Sequence, residues 1–197
     1  DKANEMLDNA GWGKDGDVRK KDGVELAVTY ATTINQVRQK TQAVIKQGLE
    51  AIGFKVSLQQ VDSGVYFDSS AGNDQNYTHF YTDLGMSAAT IDTPFPLKYM
   101  SVWYAGPDNK NIAQKANGWG GANRQRYVNP EYDALFEAVT TEIDPERSAE
   151  LFIQMNDLIV NDVAVIPLVQ RSTPVGASLR LRPENLVGGA FETTFWN

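Results

Sequence analysis

Large aromatic side chains flanked by amides are the clearest chemical signal in this chain. Trp103, Tyr104 and Trp119 lie in a stretch that is rich in Gly and Asn. Flat rings offer apolar walls and amide side chains offer polar anchors, which is a composition typical of a ligand cleft. Packing of a large loop explains any one ring about as well. As a group, the three rings favour binding over catalysis.

Patterns for nucleophilic catalysis and for metal binding are weak. Ser87 lies in Gly-Met-Ser-Ala-Ala, which lacks the final glycine of a nucleophile elbow, and the single histidine, His79, precedes this serine. One imidazole and no cysteine exclude multi-histidine and cysteine metal sites. The acidic turn from Asp15 to Asp22 does not fit a calcium-binding loop. We therefore expect neither a metal nor a cofactor.

A carbohydrate-active enzyme is the alternative from another functional class. Such enzymes use a pair of carboxylates, and the middle of the chain holds several aspartates: Asp68, Asp74, Asp83, Asp92 and Asp108. Their spacing selects no pair. Scattered acids in an acidic chain are usually solvated charges, so we expect a binding protein and not an enzyme.

Composition and charge narrow the class of partner. The 197 residues include 18 Lys and Arg against 25 Asp and Glu, for a net charge of −7. This balance disfavours nucleic acid, whose binding depends on Lys and Arg. No apolar run approaches the roughly 20 residues that a membrane span needs. The chain begins Asp-Lys-Ala, without a Met or a signal segment, so we expect a processed chain or an excised piece of a longer protein.

The elements that would position these residues begin with a βαβ unit. Alternating apolar residues predict a strand over residues 24–30, and the helical period predicts a helix over residues 35–52. A second alternating strand is predicted over residues 54–61. The predicted inward face of the helix carries five aliphatic residues: Val37, Val44, Ile45, Leu49 and Ile52. This spacing is typical of two parallel strands joined by a right-handed crossover.

Flanking segments complete a mixed α/β domain. A first helix is predicted to end at Gly11, followed by a turn-rich stretch over residues 12–23. The long middle, residues 62–130, is rich in loop-forming residues and aromatics. Within it we predict a strand over residues 77–86 and a short helix inside residues 94–104.

The last third of the chain is predicted to hold two helices and a strand. Asn129-Pro130 and Asp144-Pro145 combine an N-cap residue with proline at the first helical position. A short apolar strand is predicted over residues 163–169. The remaining residues, 170–197, end on Phe191, Phe195 and Trp196 and are expected to pack on something outside this domain.

Several motifs follow one another along the chain. They run from Ala-x-x-Met-Leu-x-x-Ala-Gly-Trp (3–12) and the Asp-Gly-Asp turn (15–23) to Ala-Ile-Gly-Phe-Lys-Val (51–56), Asn123, Tyr-Val-Asn-Pro-Glu-Tyr-Asp-Ala-Leu (127–135), Glu142 to Arg147 and Ile-Pro-Leu (166–168). Their order resembles the bacterial extracellular solute-binding proteins of the oligopeptide and dipeptide type, family 5. The resemblance covers nearly the whole chain.

The resemblance implies a lobe of the periplasmic-binding-protein type II fold. Family members are much longer, so residues 1–165 would be the C-terminal ligand-binding lobe. Residues 166–197 would form a strand and tail that cross back to an N-terminal lobe. The implied function is the solute-binding component of an ABC importer, which captures an oligopeptide or similar solute and delivers it to the permease subunits. The implied location is the periplasm, or the cell surface as a lipoprotein, and oligosaccharide binding by the same fold is the alternative.

The resemblance also places the expected site. Many peptide-binding relatives carry Gly-Trp-x-Ala-Asp-Tyr, whose acid pairs with the α-ammonium group of the peptide. Here Met86 takes the place of the Trp and Ala89 takes the place of the acid. We expect Ser87 and the surrounding backbone to hydrogen-bond the solute while aromatic walls enclose it. The expected ligand-binding residues are Gly85, Met86, Ser87, Ala88, Trp103, Tyr104, Trp119 and Asn123.

Overall fold

The computed structural model describes residues 1–89, 95–170 and 180. Their contacts divide the chain into two compact units. Unit 1 comprises residues 1–88 and 113–120, and unit 2 takes the intervening residues 89–112 together with the chain from Gly121 onward. Both helices and strands are present, which confirms the predicted mixed α/β class. Among the described residues, no helix is both long and apolar enough to cross a membrane.

The start of unit 1 is a helix followed by a small antiparallel sheet. Helix α1, Lys2–Asn9, is followed by Gly11 at φ 83°, as its predicted left-handed position requires. Strands β1 (Gly13–Asp15), β2 (Val18–Lys21) and β3 (Val24–Glu25) pair in chain order. The first two lie where only turns were predicted, and β3 lies at the start of the strand predicted over residues 24–30. The Asp-Gly pair at 22–23 has positive φ at both residues, which suits a tight hairpin between β2 and β3.

The predicted βαβ unit is confirmed. Strand β4, Ala27–Thr33, pairs in parallel with β5, Lys55–Val61, over the whole length of both strands. Helix α2, Gln36–Ala51, connects them and begins at Asn35, whose side chain accepts the amide hydrogens of residues 37 and 38. A short third strand, β6 (Leu84–Gly85), pairs in parallel with the other edge of β4.

The buried face of α2 differs from the prediction. Val37 and Val44 are 71% and 68% exposed, whereas Gln42 is fully buried. The Gln42 side-chain amide donates to the carbonyl of Tyr30 at 2.7 Å, and Lys46 donates to the carbonyl of Val56 at 2.6 Å. Relative to the prediction, the helix is rotated so that long polar side chains reach strand carbonyls. A polar side chain is stable in a buried position when its hydrogen bonds are satisfied.

The predicted strand over residues 77–86 is wrong apart from β6. Helix α3, Ser63–Tyr66, leads into a loop that local side-chain hydrogen bonds hold together. Asn76, which is 2% exposed, donates to the carbonyl of Asp68 at 2.7 Å and accepts the amide hydrogen of Thr78 at 2.7 Å. Such asparagine turns compete with a strand ladder for the same backbone groups.

Unit 2 is built mainly from helices, as predicted. A short helix, α4 (Leu97–Met100), precedes α5 (Pro130–Thr141) and α6 (Pro145–Asn161). Asn129 and Asp144 cap the two long helices with the expected side-chain hydrogen bonds. The buried cluster of this unit contains Met100, Trp103, Tyr132, Phe136, Val139, Leu151, Met155 and Ile159.

The predicted strand over residues 163–169 does not form among the described residues. Val163 has a left-handed φ of 54°, and Pro167 has no amide hydrogen to donate to a ladder. Ile166 and Val169 are 63% and 77% exposed. Of the predicted tail, residues 171–179 and 181–197 lie outside the described residues.

Arg19 ties the elements at the start of unit 1 together and was not singled out from the sequence. This residue is only 2% exposed. The guanidinium donates to the carbonyls of Ile52 at 2.8 Å and Trp12 at 2.6 Å, and it also bonds Asp8 and Asn4 on α1. Gly53, at φ 97°, leaves room for this side chain, since a Cβ there would lie 2.5 Å from its Cγ.

Replacement of Arg19 by methionine is expected to destabilise the protein by about 2–4 kcal/mol. The substitution keeps much of the side-chain volume but leaves several acceptors of α1 and residue 52 without their donor. Urea unfolding followed by circular dichroism measures the loss. Lys20→Met is the matched control on the same strand, because Lys20 makes an exposed ion pair with Asp15 and exposed pairs contribute little. Equal stability of the two variants would contradict the role of Arg19.

Candidate functional site

The segment from Gly85 to Ala88 leaves the sheet at the edge formed by β4 and β6. Met86 donates its amide hydrogen to the carbonyl of Ala31 at 2.9 Å, and its own carbonyl accepts from the Thr32 hydroxyl at 3.0 Å. Gly85 lies close to an aromatic ring, because a Cβ there would be 3.2 Å from Phe80. Ser87 and Ala88 follow and are exposed. In open α/β sheets, ligands bind outside the carboxyl ends of strands, which is where this segment emerges.

Trp119 lies in the segment of residues 113–120, which belongs to unit 1. Its ring is stacked on His79 with centroids 4.1 Å apart and an angle of 18° between the planes. The ring of Tyr81 meets the indole edge-on at 5.5 Å. Trp119 is half-buried, His79 is fully buried and Tyr81 is 55% exposed. Unit 1 therefore surrounds one predicted site residue with two rings that were not predicted to belong to the site.

Trp103 and Tyr104 belong to unit 2, where their surroundings differ. Trp103 is 2% exposed and packs edge-on against Tyr99. Its indole nitrogen has no hydrogen-bond partner among the described residues. Tyr104 is half-buried, stacks on Phe136 at 4.3 Å and donates its hydroxyl to Glu137 at 2.9 Å. Burial and the Glu137 carboxylate raise the pKa of Tyr104 to about 12. Both rings have a packing role here, and their contact with a solute stays a prediction.

Asn123 organises a loop in unit 2. It is fully buried, and its side-chain amide donates to the carbonyl of Tyr127 at 2.7 Å and, more weakly, to that of Trp103 at 3.3 Å. Its side-chain oxygen accepts the amide hydrogen of Tyr127 at 3.2 Å. These bonds engage both ends of the amide, so Asn123 positions the loop that carries Trp103. A direct bond from Asn123 to a solute stays a prediction.

The predicted site residues are divided between the two units. Residues 85–88 and Trp119 lie in unit 1, while Trp103, Tyr104 and Asn123 lie in unit 2. His79 and Tyr81 are the residues that sequence reasoning missed. The alternation of Tyr77, His79 and Tyr81 was the available signal, but it indicated only a structural or surface histidine. Among the described residues, no group of three or more His, Cys, Asp or Glu could hold a metal ion.

A polar cluster fixes the end of α6 in unit 2. The Tyr127 hydroxyl donates to Asp162 at 2.6 Å, and the Asn129 amide donates to the same carboxylate oxygen at 3.1 Å. These hydrogen bonds lower the pKa of Asp162 below its usual value, and the bond from Tyr127 has the larger effect. Burial and then the bond to Asp162 raise the pKa of Tyr127 to about 12. Tyr127 begins the motif over residues 127–135 that carried the family resemblance, and Asp162 lies after the motif from Glu142 to Arg147.

A parallel βαβ unit, a loop-rich middle and a helical second unit define the class: a lobe of the periplasmic-binding-protein fold. The family model described as bacterial extracellular solute-binding proteins, family 5 Middle, matches residues 1–111. The chain belongs to this family of solute-binding proteins, which confirms the resemblance found in the sequence.

Curated relatives are several times longer than this chain. Oligopeptide-binding protein OppA of Mycobacterium tuberculosis is 24% identical over 174 residues, which is 86% of this chain and 26% of the relative. A putative binding protein of Haemophilus influenzae is 28% identical over 104 residues, 51% of this chain and 18% of the relative. The chain thus spans about a quarter or less of the length of these relatives.

Solved structures share the fold. An oligopeptide-binding protein from Thermus thermophilus, complexed with a pentapeptide, matches with a TM-score of 0.72 and 24% identity over 83% of this chain and 28% of that chain. AppA from Bacillus subtilis, in complex with a nonapeptide, gives a TM-score of 0.62 and 24% identity over 83% and 30%. NikZ from Campylobacter jejuni, in complex with Ni(L-His), gives 0.64 and 16% over 83% and 30%.

The lowered pKa of Asp162 predicts an acid-sensitive contribution to stability. The pKa of Asp162 is lower in the folded protein than in the unfolded chain. Ionised Asp162 therefore stabilises the folded protein at pH values above its unfolded-state pKa, and this contribution is lost as the pH falls through the folded-state pKa. Asp162→Asn is therefore expected to lower the free energy of unfolding near pH 7, with a difference from the wild type that narrows below about pH 4. Urea unfolding at a series of pH values measures this difference.

Asp157→Asn is the matched control, because it removes the same charge from the exposed side of the same helix. A constant difference between the wild type and Asp162→Asn from pH 7 to pH 3 would contradict the assignment.

Proposed function

We propose that this chain is the ligand-binding lobe of the solute-binding component of an ABC importer, and that its solute is an oligopeptide. Membership of the family, carried by the match over residues 1–111, is the observation on which the proposal rests. Residues 1–165 form the lobe, and residues 166–197 cross to the other lobe of a longer protein. The protein works outside the cytoplasm, in the periplasm or as a cell-surface lipoprotein, and delivers solute to permease subunits. Its family and fold are those of binding proteins rather than enzymes.

The relatives favour a peptide over a carbohydrate. The OppA relative is named for oligopeptides, and two of the matched structures hold a pentapeptide and a nonapeptide. None of these names supports the oligosaccharide alternative or the enzyme with paired carboxylates. The proposed solute is therefore a peptide.

Recognition of the peptide through its backbone is supported by the segment after β6. Residues 87–89 are exposed and read Ser-Ala-Ala, without a charged side chain. The position at which the family resemblance predicts an acid is Ala89, so this chain offers no carboxylate there for a peptide α-ammonium group. Exposed backbone beside a sheet edge binds an extended peptide by main-chain hydrogen bonds. Ser87 adds a hydroxyl that both donates and accepts.

Blocking the peptide N-terminus is expected to change affinity by less than about threefold. The test uses the full-length protein and isothermal titration with matched tri- to pentapeptides that carry a free or an acetylated N-terminus. Ala89→Asp should restore a carboxylate and make the free amine at least tenfold better than the acetylated form, a difference of about 1.4 kcal/mol. Ala71→Asp is the control, since it adds the same charge to an exposed loop of unit 1.

Two outcomes would contradict the proposal, and they are distinguishable. No saturable binding of any peptide by the full-length protein would overturn the peptide function. Saturable binding that acetylation abolishes in the wild type would leave the function intact and overturn recognition through the backbone.

A further inference from the structure

The rings of His79, Trp119 and Tyr81 form a continuous aromatic cluster in unit 1, which is called the ring cluster below. His79 lies parallel to the indole at 4.1 Å, and Tyr81 meets the same indole edge-on at 5.5 Å with an angle of 82° between the planes. The edge-to-face contact is a favoured geometry for aromatic pairs. Solvent exposure increases across the cluster: His79 is fully buried, Trp119 is half-buried and Tyr81 is 55% exposed.

The backbone presents Trp119 in a specific and costly conformation. Gly118 and Trp119 both have left-handed φ values, 64° and 63°, at the end of a short 3-10 turn over Lys115–Asn117. The amide hydrogen of Trp119 bonds the carbonyl of Gln114 at 2.9 Å. A left-handed conformation is uncommon for a bulky residue and persists only where its surroundings hold it. Stacking on His79 is a contact that holds the indole in this orientation.

His79 is itself held by two hydrogen bonds. Its Nδ1 lies 2.8 Å from the carbonyl of Asn73, and its amide hydrogen bonds the carbonyl of Asn76. Because the carbonyl accepts only, Nδ1 carries the hydrogen in this contact. The imidazole is therefore a flat, immobilised support for the indole, supplied by the loop before β6.

Residues adjoining the ring cluster contact the segment proposed to bind peptide backbone. Tyr81 lines a cavity of about 10 Å³ together with Ala31, and the carbonyl of Ala31 accepts the amide hydrogen of Met86 at 2.9 Å. Phe80, the neighbour of Tyr81, closely approaches Gly85. The same turn of chain thus contacts the start of the 85–88 segment and carries the exposed ring of the cluster.

We propose that Trp119 and Tyr81 form a subsite that selects an aromatic side chain of the bound peptide, and that His79 is the residue that positions Trp119 for this contact. The inference rests on the proposed function and deepens it, since it names the peptide class that this lobe prefers. Two neutral rings, one of them more than half exposed, offer both a face and edges to a third ring. An aliphatic side chain would fill the same space without the directional ring contacts.

The test measures selectivity in the full-length protein. The probes are alanine pentapeptides with a single Phe or a single Leu placed at each position in turn. At one position the Phe peptide is expected to bind at least fivefold more tightly than its Leu counterpart. The ratio should fall to near one in Trp119→Leu and in Tyr81→Leu.

The role of His79 is tested by a pair of variants. His79→Ala removes the stacking surface and is expected to lower the Phe-to-Leu ratio toward one. His79→Phe keeps a flat ring but loses the bond to Asn73, and it should restore most of the selectivity. A purely structural role would change the melting temperature of both variants without this rescue. Phe67→Leu is the control, because it removes another exposed ring of unit 1, 46% exposed, outside the ring cluster.

The results that overturn the proposal differ from those that overturn the function. Binding of Phe and Leu peptides with a ratio that Trp119→Leu leaves unchanged would overturn the subsite and keep the peptide function. Loss of selectivity in Phe67→Leu to the same extent as in Trp119→Leu would also overturn it. No peptide binding by the wild type would overturn the proposed function and the subsite together.

Discussion

Burial of the Arg19 guanidinium is the constraint on which the arrangement at the start of unit 1 depends. Removing this charge from water is costly unless hydrogen bonds replace the lost hydration. The replacements come from α1, from Trp12 and from the end of α2, so these segments must be in place at the same time. The backbone of Arg19 adds bonds to Gly53 and Leu26. Local elements that are separate in sequence are thereby joined into one cooperative unit.

The same principle governs α2, whose fully buried side chain is the polar Gln42. Gln42 and Lys46 donate to strand carbonyls, and Gln60 on β5 donates back to Gln42. A network of this kind specifies one rotation of the helix, because any other rotation would leave buried polar groups without partners. Precise placement of the helix also fixes β4, with which β6 pairs and to which the Met86 amide hydrogen is bonded.

Sequence patterns predicted the elements whose signals are local. The caps at Asn129 and Asp144 and the parallel strands around α2 follow from single residues or short periodic runs. The rotation of α2 could not be predicted, because Ile45 and Leu49 would fit either rotation of the helix. The hydrogen bonds that decide it run from Gln42 and Lys46 to strand backbone. The strand predicted before β6 failed for a related reason: asparagine side chains satisfy that loop internally. Of the ring cluster, the sequence pattern singled out Trp119 but not His79, since stacking joins residues that lie 40 positions apart.

Burial of Asn76 has a consequence for how this protein is produced. Asn76-Tyr77-Thr78 is an acceptor sequence for N-linked glycans. The nitrogen to which a glycan would be attached donates to the carbonyl of Asp68 inside the folded loop. In a eukaryotic secretory host, a sugar added before folding would occupy the position of this hydrogen bond and keep the loop open. Secretion from a bacterial host, or a Thr78→Ala substitution that removes the acceptor sequence and keeps the Asn76 amide, avoids this outcome.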